Sequence, residues 1–268
     1  MKKKFKLGVI GAGFMASAII NGIISSKILS SNEIINSDIS EEALSRSKQK
    51  GVEVTTDNEY LVNNSEFVLF AVKPQSLNSV MEEIKHAECQ KFISIMAGVK
   101  KEKIKKYFST ALVARCMPNT PCSISSGAIG IDLSDFKDEK DVDFIKNTFS
   151  SLAKVVLVDE DKLNAVTGVS GSSPAYFYMF LKAIIDAGVK QGLEYEDALN
   201  LAVYTMRGSA EMVLRNQDKT IDQLINAVCS KGGTTIEAVK VFENNKLGEI
   251  IEQAINACVN RSFELENL

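Results

Sequence analysis

The sequence predicts an α/β chain, with an N-terminal domain built on a doubly wound, mostly parallel sheet followed by an all-helical domain. Three observations carry this expectation. Residues 4–16, KFKLGVIGAGFMA, are an apolar, β-branched run ended by glycines and followed by a helical pattern. From there to about residue 159, short apolar runs alternate with amphipathic stretches, as in successive βαβ units. Beyond about residue 160 no clear strand remains, and apolar residues recur at helical spacing to the end of the chain.

In chain order, strands are expected at 6–10, 33–37, 53–55, 67–70, 92–95, 112–115, 128–131 and 154–157. Helices are expected between most of them, at 15–28, 41–50, 75–86, 101–107 and 139–151. The helical part reads as 161–167, 174–192, 195–216, 220–228, 235–244 and 246–266, which places the domains at 1–160 and 161–268. Pro174 sits at a helix start, where its missing N–H costs nothing. Tyr176, Phe177, Tyr178 and Phe180 make that helix apolar nearly all round, so it is expected to be buried, either in the chain's own core or at a subunit interface.

Bulk properties narrow the function. The 268 residues are 45% hydrophobic and 24% charged with a net charge of -3, an ordinary globular composition without the basic footprint of nucleic-acid binding. No apolar run has membrane-spanning length and no signal peptide is read at the start, so a cytoplasmic protein is expected. Five cysteines without a CxxC argue against a disulfide framework and a zinc site. The single histidine, His86, lies in a polar helical stretch, which argues against catalysis built on histidine.

The first glycine turn is the most informative feature of the N-terminal half. Strand, then Gly-x-Gly-x-x-Ala (Gly11, Gly13, Ala16), then helix is the fingerprint of a dinucleotide-binding Rossmann domain. Gly11 permits the tight turn, Gly13 lets a pyrophosphate approach the backbone, and Ala16 lets helix and strand pack closely. The helix N-terminus then faces the anion. Asp38 ends the second strand where an acid accepts from the ribose 2′-OH of NAD, whereas Asn36 and Ser37 before it and Arg46 and Lys48 after it suit the 2′-phosphate of NADP. These residues leave the two cofactors open. Lys73, in Ala71-Val72-Lys73-Pro74, and the small residues of Met96-Ala97-Gly98-Val99 fall on the same edge, at the carboxyl ends of strands. So does Arg115-Cys116-Met117-Pro118-Asn119-Thr120-Pro121, a loop stiffened by two prolines. In the helical half, Ser230-Lys231-Gly232-Gly233-Thr234-Thr235 breaks two helices. Thr234 and Glu237 form a candidate capping box, and the glycine-lined helix start with its hydroxyls suits a small carboxylate.

Taken together, GAGFMA (11–16), AVKP (71–74), RCMPNTP (115–121), TGVSGSSPAY (167–176) and SKGGTTIEA (230–238) resemble, in order and across nearly the whole chain, the Δ1-pyrroline-5-carboxylate reductase family. The resemblance implies reduction of L-1-pyrroline-5-carboxylate to L-proline, the last step of proline biosynthesis, usually with NADPH, NADH being an alternative. It implies a Rossmann domain and a helical dimerisation domain, with homodimers formed through the C-terminal helices and commonly five dimers per decamer. It further implies that Gly11, Gly13, Phe14, Met15 and Ala16 hold the pyrophosphate, and that Ser37 and Asn58 lie near the adenosine end. Ala71, Lys73, Pro74, Ala97 and Asn119 would line the cofactor. Ser230, Gly232, Gly233 and Thr234 would bind the substrate carboxylate, and Thr235 would hydrogen-bond the pyrroline nitrogen as the one catalytic side chain. Lys231 and Ser173 depart from the family's usual proline and glycine without replacing a role-bearing hydroxyl.

The chemistry suits these residues. A cyclic imine is readily protonated to an iminium that accepts hydride with little help, so orientation is the protein's main task. Two rivals remain at this point. One is a β-hydroxyacid dehydrogenase-like reductase using Lys182 or Lys190. The other is a non-catalytic NADP-binding regulatory protein, which has no use for Ser230 and Thr235.

Overall fold

The structure is a computed structural model and describes residues 3–266. The N-terminal part runs β1 (Phe5–Ile10), α1 (Phe14–Ser25), β2 (Ile34–Ser37), α2 (Glu41–Lys48), β3 (Glu53–Thr55), α3 (Asn58–Asn64), β4 (Ser65–Phe70), α4 (Leu77–Ile84), β5 (Lys91–Ser94), α5 (Lys101–Lys105), β6 (Leu112–Met117), β7 (Gly127–Asp132), α6 (Glu139–Ser150) and β8 (Ala153–Leu157). Each expected strand is present, with ends shifted by a residue or two. Helix α3 was not foreseen. Its sequence, NEYLVNN, has weak helix propensity, but Asp57 caps it by accepting from Tyr60 N–H and the sheet buries Leu61 and Val62.

The eight strands form one sheet in the order β3-β2-β1-β4-β5-β6-β7-β8, all parallel except the β6–β7 pair. The order reverses between β1 and β4, which makes their carboxyl ends the switch point of a doubly wound sheet. Register keeps those ends level: Ile10 pairs with Ser37 on one side and with Phe70 on the other. Both faces of the sheet are covered, so β4 is apolar on both. Phe67 and Leu69 enter the core on one side, packed with Ile19, Ile20 and Ile23 of α1 and with Phe149 of α6. Val68 and Phe70 enter the other, with Leu77, Val80, Met81 and Ile84 of α4. Fully burying each such side chain contributes about 1.5–3 kcal/mol, enough to hold α1 rigidly beneath the glycine turn.

The remaining elements are helical: α7 (Leu163–Val166), which runs into a π-helical turn (Thr167–Gly171), then α8 (Ser173–Lys190), α9 (Tyr195–Arg215), α10 (Ile221–Val228), α11 (Thr234–Asn244) and α12 (Leu247–Glu266). Pro174 is the second residue of α8, in the turn that needs no N–H donor. Packing divides the chain differently from the sequence boundary at 160. One compact unit is 1–172 together with 258–268, and the other is 173–257. The two divisions differ because α7 and the π turn are helical in pattern yet pack on the sheet. A Cβ on Gly130 of β7 would meet Val166 at 2.8 Å, and one on Gly171 would meet Met117 of β6 at 2.5 Å.

The second unit buries little apolar surface of its own. Its buried apolar side chains among the described residues are Pro174 at the start of α8 and Ile185, Ala198 and Ala202, where α8 packs on α9. Phe177, Tyr178, Met179 and Phe180 are all exposed, Met179 to 72%. The alternative in which α8 is a core helix of this chain therefore fails. Its apolar girdle lies open on the single chain, along with Leu201, Tyr204 and Leu214 of α9.

Candidate active site

The glycine turn at the end of β1 is held by its neighbours' backbones. Gly11 N–H donates to Ser37 O at 2.7 Å and Ala71 N–H to Ile10 O at 2.9 Å, tying the ends of β1, β2 and β4 together. Gly11 has φ of 104°, and a Cβ on it would lie 2.7 Å from the Ala71 carbonyl oxygen. Only glycine fits there without strain. Gly13 is different. It is the N-cap of α1 in an extended conformation, no side chain caps the helix, and nothing lies within 4 Å of where its Cβ would be. An uncapped helix start beside open space at the switch point fits a pyrophosphate, whose oxygens the first-turn N–H groups can satisfy. Ala16 is buried at the helix–sheet contact, Met15 is half-buried, and Phe14 projects from the turn at 61% exposure.

The residue between the glycines is gripped from both sides. Ala12 N–H donates to Asp38 Oδ2 at 2.7 Å, and its carbonyl accepts from Arg46 Nη2 at 3.2 Å. Asp38 Oδ1 accepts from Ser40 N–H at 2.9 Å. A carboxylate accepts about four hydrogen bonds, so Asp38 keeps capacity for a hydroxyl. The expectation that Asn36 and Ser37 offer donors to a 2′-phosphate does not hold. Both are fully buried. Asn36 Nδ2 donates to Val9 O and Gly11 O at 2.8 and 2.9 Å, and its Oδ1 accepts from Ser47 Oγ at 2.7 Å. Ser37 Oγ donates to Asn58 Oδ1 at 2.6 Å, and Asn58 Nδ2 donates to Glu83 Oε2 at 2.6 Å. These side chains buttress the β2 end. Arg46, on the exposed face of α2, is the cation left beside the turn.

Along the same edge, Lys73 is exposed at the start of a 3-10 turn in which Pro74 takes the first position. Half-buried Ala71 follows β4 and half-buried Ala97 follows β5. Asn119 is committed to its own loop: its Oδ1 accepts from Ala128 N–H at 3.1 Å, and its Nδ2 lies 3.3 Å from both Ser170 O and Ser170 Oγ. Its side chain staples the two-proline loop to β7 and to the π turn.

In the second unit, Ser230 to Gly233 form a turn, with Gly232 at φ of 73° and Gly233 N–H donating to Ser230 O at 2.9 Å. The expected capping box is not made. Gly233 is the N-cap of α11, Thr234 is its first residue, and no side chain caps the helix. Glu237 instead pairs with Lys240 at 2.7 Å. Capping therefore does not account for the hydroxyls of Thr234 and Thr235, and both residues are exposed at an uncapped helix start.

Other chemistry is weakly represented. His86 is exposed in the turn after α4, two residues past its last residue, Ile84, whereas the sequence places it inside the helix. Cys116 and Cys122 are buried, and desolvation pushes both thiols up, Cys116 well above the ordinary 9.0, so neither supplies a thiolate. What local motifs do not disclose is a buried ionic network around Arg115, Asn164 and Glu266, drawn from residues up to 151 positions apart.

Known proteins match this arrangement along its full length. Residues 160–265 match the family model for pyrroline-5-carboxylate reductase dimerisation, and residues 6–98 match the one described as NADP oxidoreductase coenzyme F420-dependent. The pyrroline-5-carboxylate reductase of Synechocystis is 37% identical over 97% of this chain and 98% of its own. That of Arabidopsis thaliana is 34% identical over 98% and 96%. The chain belongs to the pyrroline-5-carboxylate reductase family. The solved reductase of Coxiella burnetii superposes with a TM-score of 0.89 at 33% identity, covering 98% of this chain and 99% of that one. The Plasmodium falciparum pyrroline carboxylate reductase, solved with NADP bound, gives a TM-score of 0.87 at 29% identity over 99% and 100%.

Proposed function

We propose that this protein is a pyrroline-5-carboxylate reductase, transferring hydride from NADPH to the C=N bond of L-1-pyrroline-5-carboxylate to give L-proline. The observation that carries the reading is the pair of uncapped, glycine-led helix starts, within a chain that matches reductases of this name end to end. One suits a dinucleotide pyrophosphate and the other a small carboxylate. The Plasmodium relative's bound NADP supports the choice of cofactor.

In this reading the dinucleotide supplies the hydride, and the chain supplies placement. First-turn N–H groups of α1 at Gly13–Met15 take the pyrophosphate. Arg46 meets the adenosine 2′-phosphate while Asp38 holds the turn, and Ala71, Lys73, Pro74 and Ala97 line the remainder. Ser230, Gly232, Gly233 and Thr234 take the substrate carboxylate. Thr235 hydrogen-bonds the ring nitrogen, which arrives protonated as an iminium. A positioned, protonated imine needs no strong protein acid, in keeping with an exposed His86 and with the buried, protonated Cys116 and Cys122.

The second unit needs a partner. Ordering each residue costs about 1–2 kcal/mol in backbone entropy, and the few apolar side chains this unit buries offset only a small part of that. The matching dimerisation model supports a second copy of this chain as the cover for α8 and α9. Five such dimers in a decamer are the further assembly we propose, read out by light scattering. Among the described residues no helix is long and apolar enough to cross a membrane, and we place the enzyme in the cytoplasm.

The test is oxidation of NADPH, and separately of NADH, with pyrroline-5-carboxylate as sole acceptor and proline as product. A folded oligomer that turns over neither cofactor refutes the proposal.

A further inference from the structure

The last turn of α12 ends in a network that no motif explains. Glu266 is 8% exposed and Arg115, on β6, is 3% exposed. Glu266 Oε1 accepts from Asn164 Nδ2 at 2.9 Å and lies 3.4 Å from both Arg115 Nη1 and Nη2, while its Oε2 faces Lys100 Nζ at 3.1 Å. Ser262, one turn earlier, donates to Asn164 Oδ1 at 2.7 Å. Arg115 also reaches Glu160 Oε1 at 3.3 Å, and that oxygen accepts from the backbone N–H of Lys101 at 2.8 Å. Burial alone would push the Glu266 carboxyl up, but the Asn164 hydrogen bond and the charges of Lys100 and Arg115 outweigh it and hold the group below its ordinary 4.5.

What this network grips is the segment joining β5 to α5. Gly98 in that segment has φ of 68°, and a Cβ on it would lie 2.7 Å from Leu265 Cβ and 3.2–3.3 Å from the Leu265 and Glu266 backbone. The backbone of the chain's final turn thus lies directly on Gly98. Lys100 and Lys101, two and three residues on, are held by Glu266 and Glu160. Three points of one short segment are thus fixed, Gly98 by contact with the backbone of α12, Lys100 by Glu266 and the Lys101 N–H by Glu160. A buried ion network is a poor device for stability, because apolar packing of equal volume does as well or better, and its best-attested use is to specify one geometry. Here the specified segment leaves the carboxyl end of β5 next to the switch point, and it contains Ala97.

We propose that Glu266 is a positioning residue. Through Lys100 and Arg115 it sets the height of the 95–100 segment against which the cofactor lies, so that the last turn of α12 tunes affinity for the dinucleotide. The proposal rests on the reading above that Ala97 lines the cofactor. It predicts a cofactor-specific defect from a residue that touches neither cofactor nor imine.

The test uses the full-length oligomer, with Glu266→Gln and Lys100→Gln. Three quantities are measured well below the melting temperature: the NADPH Kd by calorimetric titration, KM for NADPH and for the imine, and kcat. Glu266→Gln keeps the side chain's size and removes its charge, and is expected to raise Kd and KM for NADPH about tenfold, as expected for a displaced binding segment and a lost buried charged hydrogen bond. KM for the imine should stay unchanged. Lys100→Gln, at the exposed side of the network, should shift the same constants in the same direction by about threefold, consistent with a half-exposed ion pair. It carries the test if Glu266→Gln does not assemble. A lowered melting temperature with unchanged NADPH Kd in the folded variants overturns the proposal and leaves Glu266 a structural residue. A wild type that binds NADPH but does not reduce the imine overturns the functional reading instead, and the Kd comparison still decides this one. A wild type that binds no NADPH overturns both.

Discussion

Gly11 and Gly13 sit two residues apart in one turn, yet substituting each with alanine should have opposite effects on stability and a shared effect on binding. At Gly13 the backbone is extended and the new methyl meets nothing within 4 Å. Folding is then unaffected, or favoured by about 0.4–1 kcal/mol, because the unfolded chain loses freedom that the native state does not use. The same methyl stands where a pyrophosphate must approach the first-turn N–H groups. Losing one charge-assisted hydrogen bond costs about 1.5–3 kcal/mol, so NADPH affinity should fall roughly 10–100-fold. At Gly11, φ of 104° costs an L-residue about 1–2 kcal/mol, and the methyl would sit 2.7 Å from the Ala71 carbonyl oxygen and 2.9 Å from its carbon. Backbone has to move, so Gly11→Ala should lower stability by about 2–4 kcal/mol as well as binding. Thermal melts with and without NADPH separate the two. Gly13→Ala should melt at or above the wild type without cofactor, and NADPH should raise its midpoint less than it raises the wild type's. If Gly13→Ala binds NADPH as the wild type does, the pyrophosphate does not sit on this turn, and the argument from the fingerprint fails.

Three further outcomes are expected. Arg46→Ala should raise KM for NADPH by about tenfold and leave that for NADH within twofold, as expected for one lost charged contact to a phosphate; equal effects on both cofactors would reduce Arg46 to a support for the Ala12 carbonyl. Thr235→Ala should lower kcat/KM for the imine by the equivalent of roughly 1–3 kcal/mol, about one unmade buried hydrogen bond, and wild-type kinetics would remove Thr235 from the mechanism. Acid should reach the Glu266 network in a defined window. The carboxyl is held below its ordinary 4.5 in the folded state, so its contribution is fully present above about pH 5 and is lost as pH falls through the lower folded value. Denaturant melts between about pH 5 and 3 should therefore show a steeper loss of stability in the wild type than in Glu266→Gln, and parallel profiles would contradict the shift.

The sheet was legible because its signal is local. Most strands are short apolar runs separated by amphipathic stretches, and glycine or proline directly follows β1 and β6. The glycine turn was legible for the same reason, since a positive-φ residue and a helix start occur within six positions. Long-range pairing was not legible. Asn36 and Ser37 read as free polar residues at a strand end, but their partners, Val9, Ser47 and Asn58, lie 11–27 positions away, and only the folded sheet shows those side chains turned inward. The Arg115–Glu266 pair spans 151 positions, and nothing in RCMPNTP (115–121) points to a partner in the last turn of α12. Packing draws a different division from the one at 160, because α7 and the π turn are helical in pattern while packing on β6 and β7, a distinction that periodicity does not make. The capping box at Thr234 and Glu237 was misread by one residue. Glycine takes the N-cap, so the threonine hydroxyls are not used in capping.

The sparse core of the 173–257 unit has a consequence for how the enzyme comes and goes in a cell. If α8 and α9 are covered only by a second copy, completing the fold is a second-order reaction, and its yield depends on how many chains are present. Mass action then makes dilution act as a denaturant: the melting temperature should climb with protein concentration, and activity should decay when stock enzyme is diluted below its subunit dissociation constant. A damaged chain would also not fail alone. By pairing with a sound one it would carry that chain's helical half, and the Ser230–Thr235 turn within it, out of service.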